Sequence, residues 1–223
     1  MTDMEKVKIH GVPETVMQTL FARTILLDQM VGAFLEEHPD ATVVNIACGL
    51  DTRVYRLDNG QGRWYNLDLP EVIDIRRRFL NEHGRISMIA KSAMDESWAA
   101  EIEDPTGEVL VVIEGLVMYL TEADIKKILF IICSRFEHTE IIMEIMNPFI
   151  MRHMKEKSIE ASKARFTWGL KSGKELENMV SGLTWAEDVS LVEGMKELYP
   201  VYKLLGWIQP VKNLSNKLVI LRK

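Results

Sequence analysis

Hydrophobic positions along the chain form two alternating patterns, short continuous apolar runs and stripes with helical spacing. Continuous runs are typical of strands that are buried on both faces of a parallel sheet. The clearest stripe follows Thr121, where Thr121 and Asp124 have the spacing of a capping box. This alternation predicts a doubly wound α/β sheet with right-handed crossovers. The predicted strands span 42–47, 63–67, 86–89, 109–113 and 140–145, and the helices between them begin at 52 and span 70–80, 97–103 and 121–136.

A further helical stripe precedes the first strand and contains an arginine. Pro13 and Glu14 suit a helix start, because proline is tolerated in the first turn and an acid favours the amino terminus. Arg23 falls on or beside the apolar face. Either it is paired with an anion, since an unpaired buried charge is expensive, or its stem packs on the core while the guanidinium reaches water. The stripe comprises Val16, Leu20, Leu27, Val31 and Phe34.

The last third of the chain departs from the regular alternation. Helical patterns over 151–164, 174–181 and 195–205 accompany two more strand-like segments, 184–191 and 217–221. These late strands are expected to extend the sheet with antiparallel pairing. We therefore predict a single domain over residues 1–223. Its parts are an N-terminal helical segment (1–40), a core (41–145), a helical insertion (146–182) and C-terminal strands (183–223).

Composition and charge disfavour several classes of function. The 223-residue chain carries 27 basic and 33 acidic side chains, a formal net charge of −6, whereas nucleic-acid binders usually show a basic excess. No apolar run approaches the roughly 18 residues that a membrane span requires. Cys48 and Cys133 are far apart, which favours a reduced, cytoplasmic setting. The histidines show no metal-ligand spacing, and the arginine run 76–78 is typical of a solvated helix face.

The first predicted strand ends in a glycine turn that passes into a helix-opening segment. Gly49 allows a ligand to approach the backbone closely, and the following helix offers free N–H donors. Asp68 comes nineteen residues later, at the end of the second strand. An acid at about this spacing binds the ribose of an adenosine-bearing cofactor. Asp68 could instead cap the helix that begins at Pro70.

The turn does not match the GxGxxG pattern of dinucleotide-binding sites, since Ala47 and Asp51 stand where other glycines would. A pyrophosphate would meet the negative charge of Asp51, which disfavours a nicotinamide or flavin dinucleotide. A cofactor that has no phosphate and carries a cationic sulfonium is easier to accommodate. The turn therefore favours S-adenosylmethionine and methyl transfer.

Two further groups of residues follow predicted strands, at the edge where doubly wound sheets bind ligands. Glu114 comes directly after 109–113 and is a candidate for the donor site, or a loop carboxylate paired with a cation. Ser92, Ala93 and Asp95 follow the third strand. An adenine could lie against Ala93 and hydrogen-bond to Ser92 or Asp95, although Asp95 could equally cap the next helix.

Three segments together resemble one known family. They are 44–53 (VNIACGLDTR), 64–70 (WYNLDLP) and 114–120 (EGLVMYL). In them the chain is similar to the leucine carboxyl methyltransferase family, and most similar to the branch named for tetracenomycin polyketide synthesis O-methyltransferases. The resemblance implies a class I, Rossmann-like methyltransferase fold with a seven-stranded sheet whose last strand is antiparallel. It also implies S-adenosylmethionine as the methyl donor.

The resemblance assigns roles to single residues. Arg23 would hold the methionine carboxylate of the cofactor, and Gly49 would pass close to the methionine part. Asp68 would hold the ribose, and Glu114 would line the donor site. The anion that Arg23 requires would then be supplied by the cofactor.

The sequence departs from the family pattern at two positions. Ser92 stands where the family has an acid that contacts adenine, and Asp95 follows three residues later. Ala47 replaces a glycine two residues before Gly49, a change small enough to fit the same turn. The resemblance therefore supports the ribose contact of Asp68 more directly than an adenine contact of Ser92 or Asp95.

Pattern and resemblance together predict an O-methyltransferase for a hydroxyl or carboxyl group of a small, aromatic or polyketide-like molecule, with the insertion 146–182 as a lid over this acceptor. A carboxylate acceptor needs no base, whereas a phenol with a pKa near 10 would benefit from Tyr119 or His153. The alternatives are a protein C-terminal carboxyl methyltransferase and a protein that binds S-adenosylmethionine without catalysis. Candidate acceptor residues are Met146, Phe149, Phe166 and Trp168, with Arg165 or Lys171 for a carboxylate.

Overall fold

The computed structural model describes residues 12–153, 165–198 and 215–223, with side chains from residue 20 onward except those of residues 153, 197 and 198. The side chains of Val16 and His153 lie outside this description, as do the parts of the predicted helices 151–164 and 195–205 beyond residues 153 and 198. The described helices are α1 Val12–Glu37, α2 Arg53–Leu57, α3 Pro70–Phe79, α4 Glu122–Arg135, α5 Pro148–His153, α6 Lys174–Glu177 and α7 Val192–Leu198.

All seven predicted strands are present, and their bounds differ from the predicted ones by at most two residues. The apolar runs locate them well because most of their residues are buried on both faces of the sheet. The strands are β1 Thr42–Ile46, β2 Arg63–Asp68, β3 Ile86–Ala90, β4 Glu108–Ile113, β5 His138–Ile145, β6 Thr184–Ser190 and β7 Lys217–Arg222.

The strands form one sheet in the order β3-β2-β1-β4-β5-β7-β6. Strands β1 to β5 are parallel, whereas β7 pairs antiparallel with both β5 and β6. The predicted doubly wound sheet with an antiparallel last strand is confirmed. Because β1 lies between β2 and β4, the crossovers diverge there, and such switch points are where open α/β sheets bind ligands.

Hydrophobic cores lie on both faces of the sheet. Val44 of β1 belongs to the core with α4, which contributes Leu129, whereas Val43 faces the opposite way and packs in the core with α1, which contributes Val31. All four side chains are fully buried. Each such side chain contributes about 1.5–3 kcal/mol through its removal from water, so the two cores hold the sheet between helical layers.

Three local predictions change in the structure. Leu20 of the predicted stripe is exposed. The predicted helix 174–181 ends at Glu177, because Met179 donates its N–H to the Leu176 carbonyl and so tightens the chain into a turn. The predicted helix 97–103 is a 3₁₀ helix over Glu96–Glu101.

The capping box predicted before α4 is confirmed. The Thr121 hydroxyl accepts the Asp124 N–H, and the Asp124 carboxylate accepts the Thr121 N–H at 3.0 Å. Within the described ranges, no helix is long and apolar enough to cross a bilayer. Among the same residues, no three His, Cys, Asp or Glu side chains form a group that could hold a metal ion.

Candidate functional site

The candidate site lies where β1, β2 and β4 reach their carboxyl ends. The pairing aligns Ile46 with Leu67 on one side and with Ile113 on the other. The glycine turn after β1, the acid that ends β2 and the acid after β4 therefore emerge at the same edge of the sheet. The structure brings Gly49, Asp68 and Glu114 together as the sequence predicted.

The glycine turn is fixed against the end of β2. Gly49 has a φ of +50°, in the left-handed region, and a Cβ there would meet open space. Its N–H donates to Asp68 Oδ2 at 2.8 Å, and Asp68 Oδ1 accepts the Leu69 N–H at 2.7 Å. The N-cap residue of α3 is Leu69, with no side-chain cap. Asp68 thus serves the turn and does not cap α3.

Arg23 is paired with two carboxylates. Its Nη1 donates to Glu144 Oε2 at 2.9 Å, and its Nε lies 2.6 Å from Glu114 Oε1, an ion pair without hydrogen-bond geometry. Burial lowers the pKa of the guanidinium, but the charges of Glu144 and Glu114 outweigh it and raise the net pKa. Of the two interpretations offered by the sequence, anion pairing is the one observed, but the anions are the chain's own Glu114 and Glu144 and not a cofactor carboxylate. A contact between Arg23 and the methionine carboxylate stays a prediction.

Glu144 is a site residue that sequence reasoning missed. Its side chain is 2% exposed and accepts the Gly115 N–H at 3.0 Å and the Asn216 amide at 3.3 Å, in addition to Arg23. Burial raises the pKa of the Glu144 carboxyl, although Arg23 opposes this shift. The available signal was an acid inside the apolar run 141–145, which Glu144 interrupts just before the end of β5.

Arg53 was also missed, although it falls in the first segment of the family resemblance. Its side chain is 1% exposed and contacts Asp28 at 3.0 Å, Asp51 at 2.7 Å and Glu114 at 2.9 Å. It therefore links α1, the glycine turn and the loop after β4. Arg56 pairs with Asp28 through two hydrogen bonds of 2.6 and 3.0 Å, which completes this charge cluster.

The prediction that the run 76–78 is solvated is wrong for Arg76. Arg77 and Arg78 are exposed, whereas the Arg76 side chain is 0% exposed. It donates to the Gly49 carbonyl at 2.9 Å and to the Asp51 carbonyl at 2.8 Å. The run spans more than one side of α3, and only Arg76 faces the turn.

The loop after β3 lies beside Asp68, because Ala90 is paired with Asp68 in the sheet. Asp95 caps the 3₁₀ helix by accepting the Ser97 N–H at 3.0 Å, and this bonding to Ser97 lowers the pKa of the Asp95 carboxyl. Ser92 and Ala93 are half-buried. The capping alternative for Asp95 is thus the observed one, and the adenine contacts of this loop remain predictions.

Several aromatic side chains lie in the segments that follow β4 and β5. Tyr119 follows Glu114 and lies 5.4 Å from the ring of Phe166, with the planes tilted by 31°. Phe149 is exposed, while Met146 is buried and Trp168 packs against the core. The Thr167 N–H donates to the Met118 carbonyl at 2.8 Å, which fastens the 165–170 segment beside the loop after β4. Arg165 and Lys171 are both exposed.

Comparison with known proteins decides the family. A sequence model described as leucine carboxyl methyltransferase matches residues 2–133. The chain belongs to the leucine carboxyl methyltransferase family. The chain is also 33% identical over 194 residues to the tetracenomycin polyketide synthesis O-methyltransferase TcmP of Streptomyces glaucescens. This match covers 85% of this chain and 72% of that protein.

A second relative of the chain is also named as a methyltransferase. An S-adenosyl-L-methionine-dependent methyltransferase of Gibberella zeae is 30% identical over 209 residues, which cover 87% of this chain and 70% of that protein.

Two solved structures share the fold of this chain. A DUF574 family protein of Streptomyces avermitilis has a TM-score of 0.66 at 14% identity, over 91% of this chain and 82% of that one. Magnesium protoporphyrin IX methyltransferase of Synechocystis, solved with bound SAH, has a TM-score of 0.58 at 8% identity, over 98% and 90%.

The protein is therefore an S-adenosylmethionine-dependent methyltransferase, and its charged residues fit that cofactor. Carboxylates outnumber arginines around the glycine turn, which suits a cationic sulfonium and disfavours a pyrophosphate. Space beside Gly49 is open. The carboxylates are Asp28, Asp51, Asp68, Glu82, Glu114 and Glu144, and the arginines are Arg23, Arg53, Arg56 and Arg76.

Proposed function

We propose that this methyltransferase acts on a hydroxyl or carboxyl oxygen of a small aromatic or polyketide-like molecule. The observation that carries the proposal is the contact between the Tyr119 and Phe166 rings, 5.4 Å apart, with the exposed Phe149 in the helix that follows β5. Aromatic side chains offer large contact areas to flat ligands. The similarity to TcmP, which is named for polyketide O-methylation, supports the same class of acceptor.

We infer that the methyl donor is bound by residues in and around the glycine turn. The half-buried Asp68 carboxylate has lone pairs left for ribose hydroxyls beside its bond to Gly49. Arg23 presents a guanidinium that Glu114 and Glu144 orient from two sides, and a planar guanidinium suits a carboxylate such as that of methionine. Ser92, Ala93 and Asp95 are proposed to flank the adenine.

S-adenosylmethionine supplies an electrophilic methyl group when bound, so the chain needs chiefly to align the acceptor and exclude water. A carboxylate acceptor attacks without a base, whereas a phenol profits from one. Tyr119 is the candidate base within the described side chains. Burial raises the pKa of the Cys48 thiol to about 12, which disfavours Cys48 as a nucleophile. Cys48 and Cys133 are both free and buried, which supports a reducing, cytoplasmic setting.

Incubation with labelled S-adenosylmethionine and an acceptor panel tests the proposal. The panel contains aromatic carboxylic acids, phenols and a peptide with a free leucine carboxylate. We expect label on aromatic small molecules, and base-labile esters among the products would identify carboxyl methylation. Label on the peptide alone would replace the proposal with protein carboxyl methylation, and donor binding without transfer to any aromatic compound would also contradict it.

A further inference from the structure

We propose that Arg76 is a positioning residue for donor binding, which presets the glycine turn without touching the cofactor. The inference rests on the proposed donor site at Gly49 and Asp68. Its basis is the pair of hydrogen bonds that Arg76 donates to the Gly49 and Asp51 carbonyls, at 2.9 and 2.8 Å. Both carbonyls belong to the turn that would meet the donor, whereas Arg76 lies behind it, on α3.

The turn needs an external hold because its backbone is unusual. Ala47 and Gly49 have φ values of +56° and +50°, a region that a non-glycine residue adopts at a cost. The Gly49 carbonyl is bonded to Arg76 while its N–H is bonded to Asp68. Arg76 and Asp68 thus fix Gly49 through both of its polar groups, and loss of Arg76 would release one of them.

Glu82 anchors the guanidinium of Arg76. Its side chain is 0% exposed and accepts from Arg76 Nε at 3.1 Å. It also accepts the Asn66 amide at 3.0 Å. Asn66 in turn accepts from the Asn45 amide at 3.3 Å, and Asn45 donates to Asp51 Oδ2 at 3.0 Å. This buried network begins and ends on the glycine turn, so it holds the turn against β1 and β2.

Arginine is required at this position for a geometric reason. The planar guanidinium reaches two carbonyls and one carboxylate at once, while a lysine has a single ammonium on a flexible stem. Arg76→Lys would keep a positive charge beside Glu82 but could not maintain both carbonyl contacts. This substitution therefore removes the hydrogen bonds to the turn while it keeps a positive charge that neutralises the buried Glu82.

Binding of S-adenosylhomocysteine to the full chain, measured by calorimetry, tests the inference. Arg77→Lys, an exposed neighbour on α3 that pairs with Asp74, is the matched control. We expect Arg76→Lys to weaken binding about tenfold to hundredfold and Arg77→Lys to stay within twofold. In turnover assays Arg76→Lys should raise KM for the donor, with kcat largely retained at saturating donor. A merely structural role would not produce that split.

Each outcome distinguishes the inference from the proposed donor site. If the natural protein binds S-adenosylhomocysteine and folded Arg76→Lys binds it equally well, the Arg76 inference fails alone. If the natural protein does not bind it, the donor site fails first. Hydrogen exchange on the natural protein covers the case in which the variant does not fold. The amides of Gly49 and Asp51 should be protected without ligand, and fast exchange there would overturn a preset turn.

Discussion

At the scale of the residue, the site depends on conformations and charges that are unfavourable in isolation. Ala47 adopts a left-handed φ of +56°, so this chain carries local strain in the turn after β1. The buried Glu144 carboxylate is likewise tolerated because Arg23 and two N–H donors face it. Substitutions at Ala47 and at Arg23, the partner of Glu144, should therefore change the free energy of unfolding.

Ala47→Gly should leave the free energy of unfolding unchanged or raise it by up to about 1.5 kcal/mol. Relief of the left-handed alanine is worth roughly 1–2 kcal/mol, and the greater freedom of glycine in the unfolded chain offsets about 0.5–1 kcal/mol of it. Urea denaturation measures the change. A loss of more than 1 kcal/mol would show that the alanine conformation is not strained.

Arg23→Gln should destabilise the protein more at pH 8 than at pH 5, by about 1–3 kcal/mol. Burial raises the pKa of Glu144 in the folded state, so the folded protein binds more protons than the unfolded chain above the ordinary glutamate pKa. Stability therefore falls as pH rises through that window. Removing Arg23 raises the pKa further and deepens the fall.

Urea denaturation at the two pH values measures this difference. Arg77→Gln, which removes a charge from an exposed pair, is the control and should show no such dependence. A destabilisation by Arg23→Gln that is equal at both pH values would mean that Glu144 does not carry the effect.

At the scale of the element, α4 illustrates stability that is separate from the site. Its capping box joins Thr121 and Asp124 in both directions, and it follows Glu114, which is proposed to line the donor site. Helix caps satisfy N–H groups that the helix itself leaves unbonded. The cap should therefore affect folding without affecting the donor.

Thr121→Ala should lower the free energy of unfolding by about 1 kcal/mol. Binding of S-adenosylhomocysteine should remain within twofold of the natural protein, because Thr121 contacts none of the charged residues around the glycine turn. Thermal unfolding and calorimetry on the same preparation measure both quantities. A large loss of binding would place α4 in the donor site and contradict this separation.

Elements were predictable from the sequence where burial leaves a local pattern. The continuous run at β4 predicted its strand because most of its residues face a core, and spacing placed Asp68 beside Gly49. Partners that meet only through the fold left no such pattern. Arg53 reaches Glu114 across 61 residues, and Arg76 looks like its exposed neighbours until α3 packs against the turn.

At the scale of the whole molecule, one charge network joins elements that are distant in sequence. Arg23 of α1 pairs with both Glu114 and Glu144 of β5, and Asn216 links Glu144 to the start of β7. A ligand that binds only the folded state stabilises it by mass action. Donor binding should consequently stabilise the entire sheet rather than the glycine turn alone.

S-adenosylhomocysteine at 100 times its Kd should raise the free energy of unfolding by about 2.7 kcal/mol. Asp68→Asn should weaken its binding at least tenfold through loss of the charged acceptor. At the same ligand concentration the stabilisation should then drop by at least about 1.3 kcal/mol. Thermal shift measurements test this, with the exposed Asp74→Asn as control. An equal shift in both variants would remove Asp68 from the donor site.

The position of β7 between β5 and β6 has a consequence for the order of events during synthesis. β6 leaves the ribosome before β7, and among the described strands it pairs with β7 alone, because β7 separates it from β5. Until β7 arrives, β5 presents an unpaired apolar edge, which is a template for aggregation. Nascent chains that stop at residue 215 should accordingly sediment as aggregates or bind chaperones, whereas chains released with β7 should not.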